Sequence, residues 1–270
     1  MAYFIHIFLT MATLTLSYPL LGKNLTLKLS GKIVKSIDIE EMKTKKSLIN
    51  VFDPISKAET KYQGIAFKDL LENAYGPGWR NAGEELVFTT EDGYQPSIPL
   101  SLFSSNTSFL AFSKDDGEFS MESEGKKIQL APYYLIWENI KNLGIRDKSA
   151  SIWPYQITGI DLVYFKEKFG RMAPSENVSI AAKEGFLVFR EKCLSCHKMN
   201  GEGAESGIDL NQPVPKILIY NKKWFIKWIL EPKSIRPNTT MPGLISTDVK
   251  ATKNISSLIH YLEAMSKSQN

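Results

Sequence analysis

The chain has few of the side chains on which disulfide and multi-ligand metal chemistry depend. It contains two cysteines, Cys193 and Cys196, and three histidines, His6, His197 and His260. One pair of cysteines cannot build a disulfide-stabilised scaffold. So few histidines nearly exclude any mechanism that needs several histidine ligands.

Strong charge and long apolar runs are also scarce. The formal net charge is +4 over 270 residues, which does not support a nucleic-acid-binding protein. All of this net charge lies in residues 175–270. Beyond residue 22, no stretch is long and apolar enough to span a bilayer. The hydrophobic fraction of 43% is nevertheless sufficient for buried cores, and the length favours two domains.

The beginning of the chain is apolar and carries no charged side chain before Lys23. Its length is typical of the hydrophobic region of a signal peptide and short for a membrane span. We therefore expect an exported, periplasmic protein with a signal peptide over residues 1–22, cleaved within residues 18–22. An uncleaved N-terminal membrane anchor is the alternative.

Two parts with different patterns follow this leader. Residues 23–168 contain several segments in which apolar and polar residues alternate, which predicts strands, and one helix over 66–75. This pattern indicates an α+β domain that is mostly β. Residues 169–177 are polar and are predicted to be a linker. Residues 178–270 show helical patterns and no strand pattern.

One short motif carries the chemistry. The segment Cys193-Leu194-Ser195-Cys196-His197 has the spacing C-x-x-C-H, the attachment pattern of haem c. Two thiols one helical turn apart can each add to a vinyl group at one edge of a porphyrin. The next residue, His197, is then placed to bind the iron. The motif predicts one covalently bound haem, with Cys193 and Cys196 as attachment residues and His197 as a metal ligand.

The motif has two other interpretations. A thioredoxin-like redox pair is expected near a strand in a βαβ unit, and no such pattern surrounds Cys193. Half of a zinc site would need further thiols or histidines, of which only His260 remains outside the leader. Both interpretations are less consistent with the sequence than a haem.

A haem that transfers electrons needs a second axial ligand. The candidates are His260, Met172, Met199, Met241 and Met265. Met199 is too close to His197 to reach the far side of the ring, and Met265 lies at the end of the terminal helix. Met241 lies in a loop over 234–244, where prolines and a glycine prevent a regular helix and the chain can pass around the ring edge. We therefore predict Met241 as the second metal ligand, which raises the redox potential.

Three helices are expected around the motif. Gly185, Phe189 and Cys193 are spaced by four residues and share one helix face, and Gly185 allows a second helix to approach closely. The apolar pattern over 256–265 predicts this second helix. A third helix, over 221–234, carries Trp224, Phe225 and Trp228. These aromatic side chains either wall the haem and exclude water or form ordinary core.

With these residues in this order, residues 178–266 resemble the class I cytochromes c. The matching features are Gly185, Phe189, the C-x-x-C-H motif, Asn238-Thr239-Thr240-Met241 and Tyr261-Leu262. The resemblance implies an all-α domain, His197 as the proximal and Met241 as the distal iron ligand, and Thr239 as a hydrogen-bond partner of a haem propionate. In that family a proline carbonyl orients the proximal histidine. This chain has Gly207-Ile208-Asp209-Leu210 there, so the carbonyl of Ile208 is expected to serve.

Residues 60–165 are similar to the molybdopterin domain of the sulfite oxidase family. The resemblance rests on segments 62–71, 91–94 and 98–100. The metal of that family takes a cysteine thiolate, and residues 23–168 contain no cysteine. The resemblance therefore implies a degenerate domain without a molybdenum cofactor, which serves as a recognition or docking module or as a scaffold. The predicted fold class is thus a sulfite-oxidase-like α+β domain followed by an all-α class I cytochrome c domain.

The resulting hypothesis is a mono-haem electron carrier rather than an enzyme, with no catalytic residues. Its expected partners are redox proteins, namely a donor dehydrogenase or a terminal oxidase. Exposed lysines, including Lys198, Lys222, Lys223 and Lys227, either steer an acidic partner or merely solvate the helices. A haem-based redox or gas sensor and the electron-accepting subunit of a sulfite-type dehydrogenase are the alternative functions.

Overall fold

The computed structural model describes residues 24–123, 125–146, 150–244 and 250–267. The predicted signal peptide, residues 1–22, lies outside these described residues. Among the helices described, none has the length and apolar character that a membrane crossing requires.

Strands occur in both parts of the chain, together with helices and short 3-10 turns. The strands are β1 (Leu25–Leu29), β2 (Lys32–Ile37), β3 (Ser47–Asp53), β4 (Ala58–Ala66), β5 (Glu85–Thr90), β6 (Ser97–Pro99), β7 (Ser108–Lys114), β8 (Ser120–Ser123), β9 (Lys126–Gln129), β10 (Tyr134–Trp137), β11 (Ile157–Val163), β12 (Lys198–Met199) and β13 (Glu202–Gly203). The helices are α1 (Ile39–Met42), α2 (Phe67–Tyr75), α3 (Leu100–Ser105), α4 (Leu143–Arg146), α5 (Phe165–Phe169), α6 (Ile180–Lys192), α7 (Lys216–Ile219), α8 (Lys222–Leu230), α9 (Pro232–Ile235) and α10 (Lys250–Lys267).

Two larger sheets build the N-terminal part. Sheet A has the strand order β2-β1-β11-β5-β6, and sheet B has the order β10-β7-β4-β3. In sheet A, β1 and β11 pair in parallel, with Leu27 opposite Ile160, and the remaining pairs are antiparallel. Sheet B is antiparallel throughout. Strands β8 and β9 form a separate hairpin.

Sheet A contributes to two hydrophobic cores. In β5, Leu86 and Phe88 belong to the first core, which also includes residues of sheet B, α2 and α3. Val87, between them, belongs to the second core, together with Val163 at the end of β11. This division follows from the pleat, because successive strand side chains point to opposite faces. The second core is completed by apolar side chains of α5, α6, α8 and α10.

The segment predicted as a linker, residues 169–177, is packed into this second core. Phe169 and Met172 are buried there. The hydroxyl of Tyr261 in α10 donates a hydrogen bond of 2.7 Å to the carbonyl oxygen of Met172. The segment therefore has an apolar, hydrogen-bonded connection to the C-terminal helix.

Helices α6 and α10 cross at very short range. Ser179 caps α6, and its side chain accepts a hydrogen bond from the Ala182 N–H. At Gly185 an added Cβ would lie 1.9 Å from the Ser257 carbonyl oxygen, so only glycine permits this crossing. The sequence had predicted a close approach at Gly185. The crossing positions the end of α6, where the motif begins.

The predicted fold class is wrong. The C-terminal part is not an all-α domain, because β12 and β13 form a hairpin there and Lys198 bridges to Asp209. The hairpin turn is Asn200-Gly201, with φ of 56° and 83°, the two successive positive values of a type I′ turn. The chain as a whole is mixed α/β with several sheets. The Asn-Gly dipeptide favours a hairpin turn, but the flanking helical patterns led to the prediction of an all-α domain.

The helix crossing leads to a prediction about Gly185→Ala. Alanine normally stabilises a helix interior by about 0.5–1 kcal/mol relative to glycine. Here the added methyl meets the backbone of α10, and we expect the free energy of unfolding to fall by about 3 kcal/mol. Urea unfolding monitored by fluorescence measures the difference.

Gly170→Ala is the matched control for this prediction. Gly170 has φ of −64°, and an added Cβ would meet nothing within 4 Å. We expect no loss of stability from this change. A Gly185→Ala variant as stable as the wild type would contradict the close crossing.

Candidate functional site

The motif forms one helical turn at the end of α6. The N–H of Cys193 donates to the Phe189 carbonyl at 2.8 Å, which continues the helix by one residue. The carbonyl of Cys193 then accepts from the N–H groups of Cys196 at 3.0 Å and His197 at 2.8 Å. Residues three and four positions apart on such a turn share a face. Both thiols and the imidazole are thus brought to one side of this turn, which we call the attachment turn, residues 193–197.

The two cysteines are free thiols of low acidity. Neither is in a disulfide. Burial, and to a lesser extent the neighbouring Cys196, raise the pKa of Cys193 to about 12 against a smaller opposing effect of Lys192. Burial also raises the pKa of Cys196. Cys193 lies at the C-terminal end of a helix, where the helix dipole disfavours a thiolate. Redox-active pairs need a lowered thiol pKa, so these features argue against a thioredoxin-like function.

His197 is held in one orientation and one tautomer. Its Nδ1 lies 2.9 Å from the carbonyl oxygen of Ile208. A carbonyl can only accept a hydrogen bond, so Nδ1 carries the proton and Nε2 keeps its lone pair. Burial lowers the pKa of His197, an effect that the bond to Ile208 partly opposes. The imidazole is therefore neutral near pH 7, which is the form that binds a metal.

The Ile208 carbonyl is fixed by hydrogen bonds on both sides of it. The N–H of Gly207 donates to the Cys196 carbonyl at 2.6 Å, and the N–H of Leu210 donates to the Lys198 carbonyl at 3.0 Å. The carboxylate of Asp209 accepts from the N–H groups of Gly201 at 2.6 Å, Asn211 at 2.8 Å and Gln212 at 3.0 Å. Asp209 thus ties the β12–β13 turn to the segment that orients His197.

Met241 lies on a loop anchored to α8. The loop is fixed by a bond of 2.9 Å from the Leu244 N–H to the Ile229 carbonyl. The Met241 N–H donates to the Thr239 hydroxyl oxygen at 3.2 Å, which leaves the hydroxyl proton of Thr239 free to donate elsewhere. Met241 and Cys193 are both partly buried and pack against the second core.

The other candidates for a second axial ligand lie in different surroundings. Met172, Met199 and Met265 are at most 3% exposed and belong to the second core. The His260 side chain is 51% exposed, with Nδ1 3.9 Å from a carboxylate oxygen of Glu263. Met241 is the candidate that combines partial exposure with a loop position.

The aromatic residues of α8 divide into two groups. Phe225 is buried in the second core. Trp224 is 40% exposed and stacks on Trp228, with ring centroids 5.9 Å apart and an interplanar angle of 3°. The Tyr220 ring contacts Trp224 in a tilted arrangement, with centroids 5.0 Å apart and an interplanar angle of 34°. The surface of α8 therefore presents an aromatic stack rather than a continuous part of the core.

The lysines expected to steer a partner are not equivalent. Lys198 pairs with Glu205 at 2.5 Å, and Lys222 pairs with Glu263 at 2.7 Å. Within the described part of the chain, Lys223 and Lys227 have no carboxylate at ion-pair distance, and both are exposed. These two lysines carry the positive charge of α8 that is available to a partner.

The sequence analysis missed a second set of residues at the site. The Gln95 N–H donates to the Ser195 carbonyl at 2.8 Å, and the Glu205 N–H donates to the Gly93 carbonyl at 3.2 Å. The N-terminal part therefore touches the attachment turn itself. The only sequence signal was the Asp92-Gly93 dipeptide, which predicts a turn but not what the turn contacts.

No protein-family model matches the chain, and no curated protein matches it. The assignment of residues 178–266 to the class I cytochromes c is wrong, because this region is not all-helical and no family match supports it. The assignment of residues 60–165 to the molybdopterin domain of sulfite oxidases is wrong for the same lack of a match. The C-x-x-C-H motif and its surroundings carry the argument that follows without these families.

Asp209 supports a specific prediction about the attachment turn. Asp209→Ala removes the acceptor of three backbone N–H groups, and we expect the free energy of unfolding to fall by about 1–3 kcal/mol. Amide hydrogen exchange of Gly201, Asn211 and Gln212 should accelerate, because these groups lose their partner.

Asp116→Ala is the control for this change, since Asp116 lies exposed in the loop before β8. It should leave the exchange rates of these three amides as they are in the wild type. Unchanged exchange in Asp209→Ala as well would show that Asp209 does not hold the segment.

Proposed function

We propose that the protein is a one-electron carrier with a single covalent haem, attached through Cys193 and Cys196. In this proposal His197 and Met241 are the iron ligands. The observation that carries the proposal is the attachment turn, on which helical spacing gives one face to two free thiols and to an imidazole whose Nδ1 is held by the Ile208 carbonyl.

The properties of several other residues fit such a group. His197 keeps Nε2 available because the Ile208 carbonyl occupies Nδ1, an arrangement typical of metal-bound histidines. Thr239 retains a hydroxyl proton that is suited to an anionic group such as a propionate. The half-exposed Trp224 and Trp228 offer apolar surface to a flat ring system. Within the described residues, no cluster of three or more His, Cys, Asp or Glu side chains favours a zinc site instead.

Each residue has a separate task in this function. The thiols hold the group permanently, His197 binds the iron in a fixed orientation, and Met241 favours the reduced state as a soft ligand. The haem, when bound, supplies a reversible one-electron couple. The second core around the attachment turn limits the access of water, which also influences the potential.

The proposal includes export and a redox partner. The apolar residues 1–22 favour export to the periplasm. Lys223 and Lys227 favour an acidic partner at α8. A partner docked on the N-terminal part would also lie near the site, because that part contacts the attachment turn. No molybdenum is expected in the purified protein.

The first test is expression of the full chain in a host that attaches haem c. We expect a red protein whose mass is increased by one haem, and one iron atom per chain by metal analysis. Cys193→Ser and Cys196→Ser should each leave one thioether at most, which shifts the absorption of the pyridine haemochrome. A colourless wild-type protein without added mass would overturn the proposal.

Met241→Leu tests the second iron ligand. We expect the haem to remain attached while the methionine-to-iron charge-transfer band disappears and the potential falls. Met265→Leu, a buried methionine of the second core, is the matched control and should keep the band. Loss of the band in Met265→Leu alone would assign the ligand to that residue. Binding of carbon monoxide by the reduced wild-type protein would favour the gas-sensor alternative.

The lysines of α8 predict an effect of ionic strength. Oxidation of the reduced protein by ferricyanide, an anion, should slow as salt is added, because screening weakens the attraction. The double variant Lys223→Glu/Lys227→Glu should slow the reaction at low salt and weaken its salt dependence, because the two changes lower the formal net charge from +4 to zero. Lys61→Glu/Lys126→Glu, a pair of exposed lysines of the N-terminal part, is the control. Equal effects of the two double variants would contradict a role specific to α8.

A further inference from the structure

The hairpin β5–β6 of the N-terminal part reaches the attachment turn. Its tip, residues 91–95, is held closed by bonds of 3.2 Å from the Gly93 N–H to the Thr90 carbonyl and 3.1 Å from the Thr90 N–H to the Tyr94 carbonyl. The Asp92 carboxylate accepts from the Tyr94 N–H at 3.1 Å. We call residues 91–95 the clamp turn. It is a stiff turn, because its backbone and an aspartate side chain close it together.

The clamp turn makes contacts with the attachment turn and the segment behind it. The Gln95 N–H donates to the Ser195 carbonyl, and the Gly93 carbonyl accepts from the Glu205 N–H. Ser195 lies between the two cysteines, and Glu205 lies a few residues before Ile208. One contact therefore lies within the motif proposed to hold the haem, and the other lies between His197 and Ile208.

Gly93 is required both by its conformation and by this contact. Its φ is +81°, and an added Cβ would lie 3.2 Å from the Glu205 Cβ and 3.4 Å from the Ser206 nitrogen. Gly31, at the tip of the β1–β2 hairpin, has a φ of +82° but nothing within 4 Å of an added Cβ. The two glycines share a backbone conformation and differ in what lies beside them.

The same hairpin is joined to α6, which leads into the attachment turn. Arg190 in α6 forms an ion pair with Glu85 in β5. The Arg190 guanidinium also lies 3.6 Å from the centre of the Phe165 ring. Val87 of β5 packs in the second core. The hairpin therefore supports both the helix before the motif and the motif itself.

We propose that the clamp turn positions the attachment turn, so that the N-terminal part acts as an internal support of the haem site. Gln95 and Gly93 are positioning residues in this proposal, and they act through Ser195 and Glu205. The Ser195 side of the attachment turn is covered by the clamp turn and is not a surface for a redox partner. The haem in this inference rests on the proposed function. The contacts of the clamp turn with the attachment turn do not depend on a haem.

The test compares Gly93→Ala with Gly31→Ala in the full, matured chain. Both changes place alanine at the same strained φ, but only Gly93→Ala pushes against Glu205 and Ser206. We expect amide exchange of residues 194–207 to rise about tenfold in Gly93→Ala and to stay at the wild-type rate in Gly31→Ala. The midpoint potential of the haem should shift only in Gly93→Ala, because the surroundings of the site change.

Asp92→Ala is a milder second variant in case Gly93→Ala does not fold. It removes the carboxylate that accepts from the Tyr94 N–H at 3.1 Å and helps to close the clamp turn, and we expect faster exchange in residues 194–197. Asp38→Ala is its control, because the Asp38 carboxylate accepts from the Glu40 N–H at 3.0 Å in the segment that follows β2. Wild-type exchange in both clamp variants overturns the inference, and so does an equal rise in the clamp variants and their controls.

The two proposals fail in different measurements. A chain without added haem mass overturns the proposed function, and exchange of residues 194–207 in the same samples still decides whether the clamp turn positions the attachment turn. A loaded chain in which the clamp variants exchange like the wild type preserves the proposed function and overturns the clamp.

Discussion

The carbonyl oxygen of Cys193 accepts hydrogen bonds from two successive N–H groups, and the whole site depends on this bend of the backbone. It adds one turn to α6 and brings both thiols and the imidazole to one side. The chain then leaves the turn into the β12–β13 hairpin and returns with the Ile208 carbonyl beneath His197. Without the bend, the three side chains would have no common face.

Several layers of structure hold this bend in place. The helix crossing at Gly185 fixes α6 against α10 from one side, and the clamp turn meets Ser195 from another. Asp209 gathers three backbone N–H groups behind the Ile208 carbonyl. Each of these contacts uses the backbone, so residues with no metal-binding side chain at the site, such as Gly93 and Asp209, also contribute to its geometry.

Sequence patterns were informative where the signal is local and does not depend on contacts with a distant segment. The C-x-x-C-H spacing predicted that two thiols and an imidazole lie close together, and Gly185 predicted a close helix approach, because each signal is contained within a few residues of the chain. The type I′ turn at Asn200-Gly201 was also readable but was overlooked among helical patterns, and the all-α assignment failed there. Met172 lies in a polar segment, so the burial of its side chain depends on α10, which is distant in sequence. The clamp turn was unpredictable for the same reason, since the sequence predicts a turn at Asp92-Gly93 but not its neighbour.

The burial of both faces of sheet A has a consequence for how the protein unfolds. Val87 and Val163 lie in the same strands as residues of the first core, yet they are buried against the C-terminal helices. Cutting the chain near residue 168 would expose these valines on one fragment and uncover the helices on the other. The burial of apolar surface on both sides of one sheet favours a single cooperative unfolding transition over independent melting of two domains. Heat or denaturant that loosens the sheet would then also loosen the attachment turn in the same event.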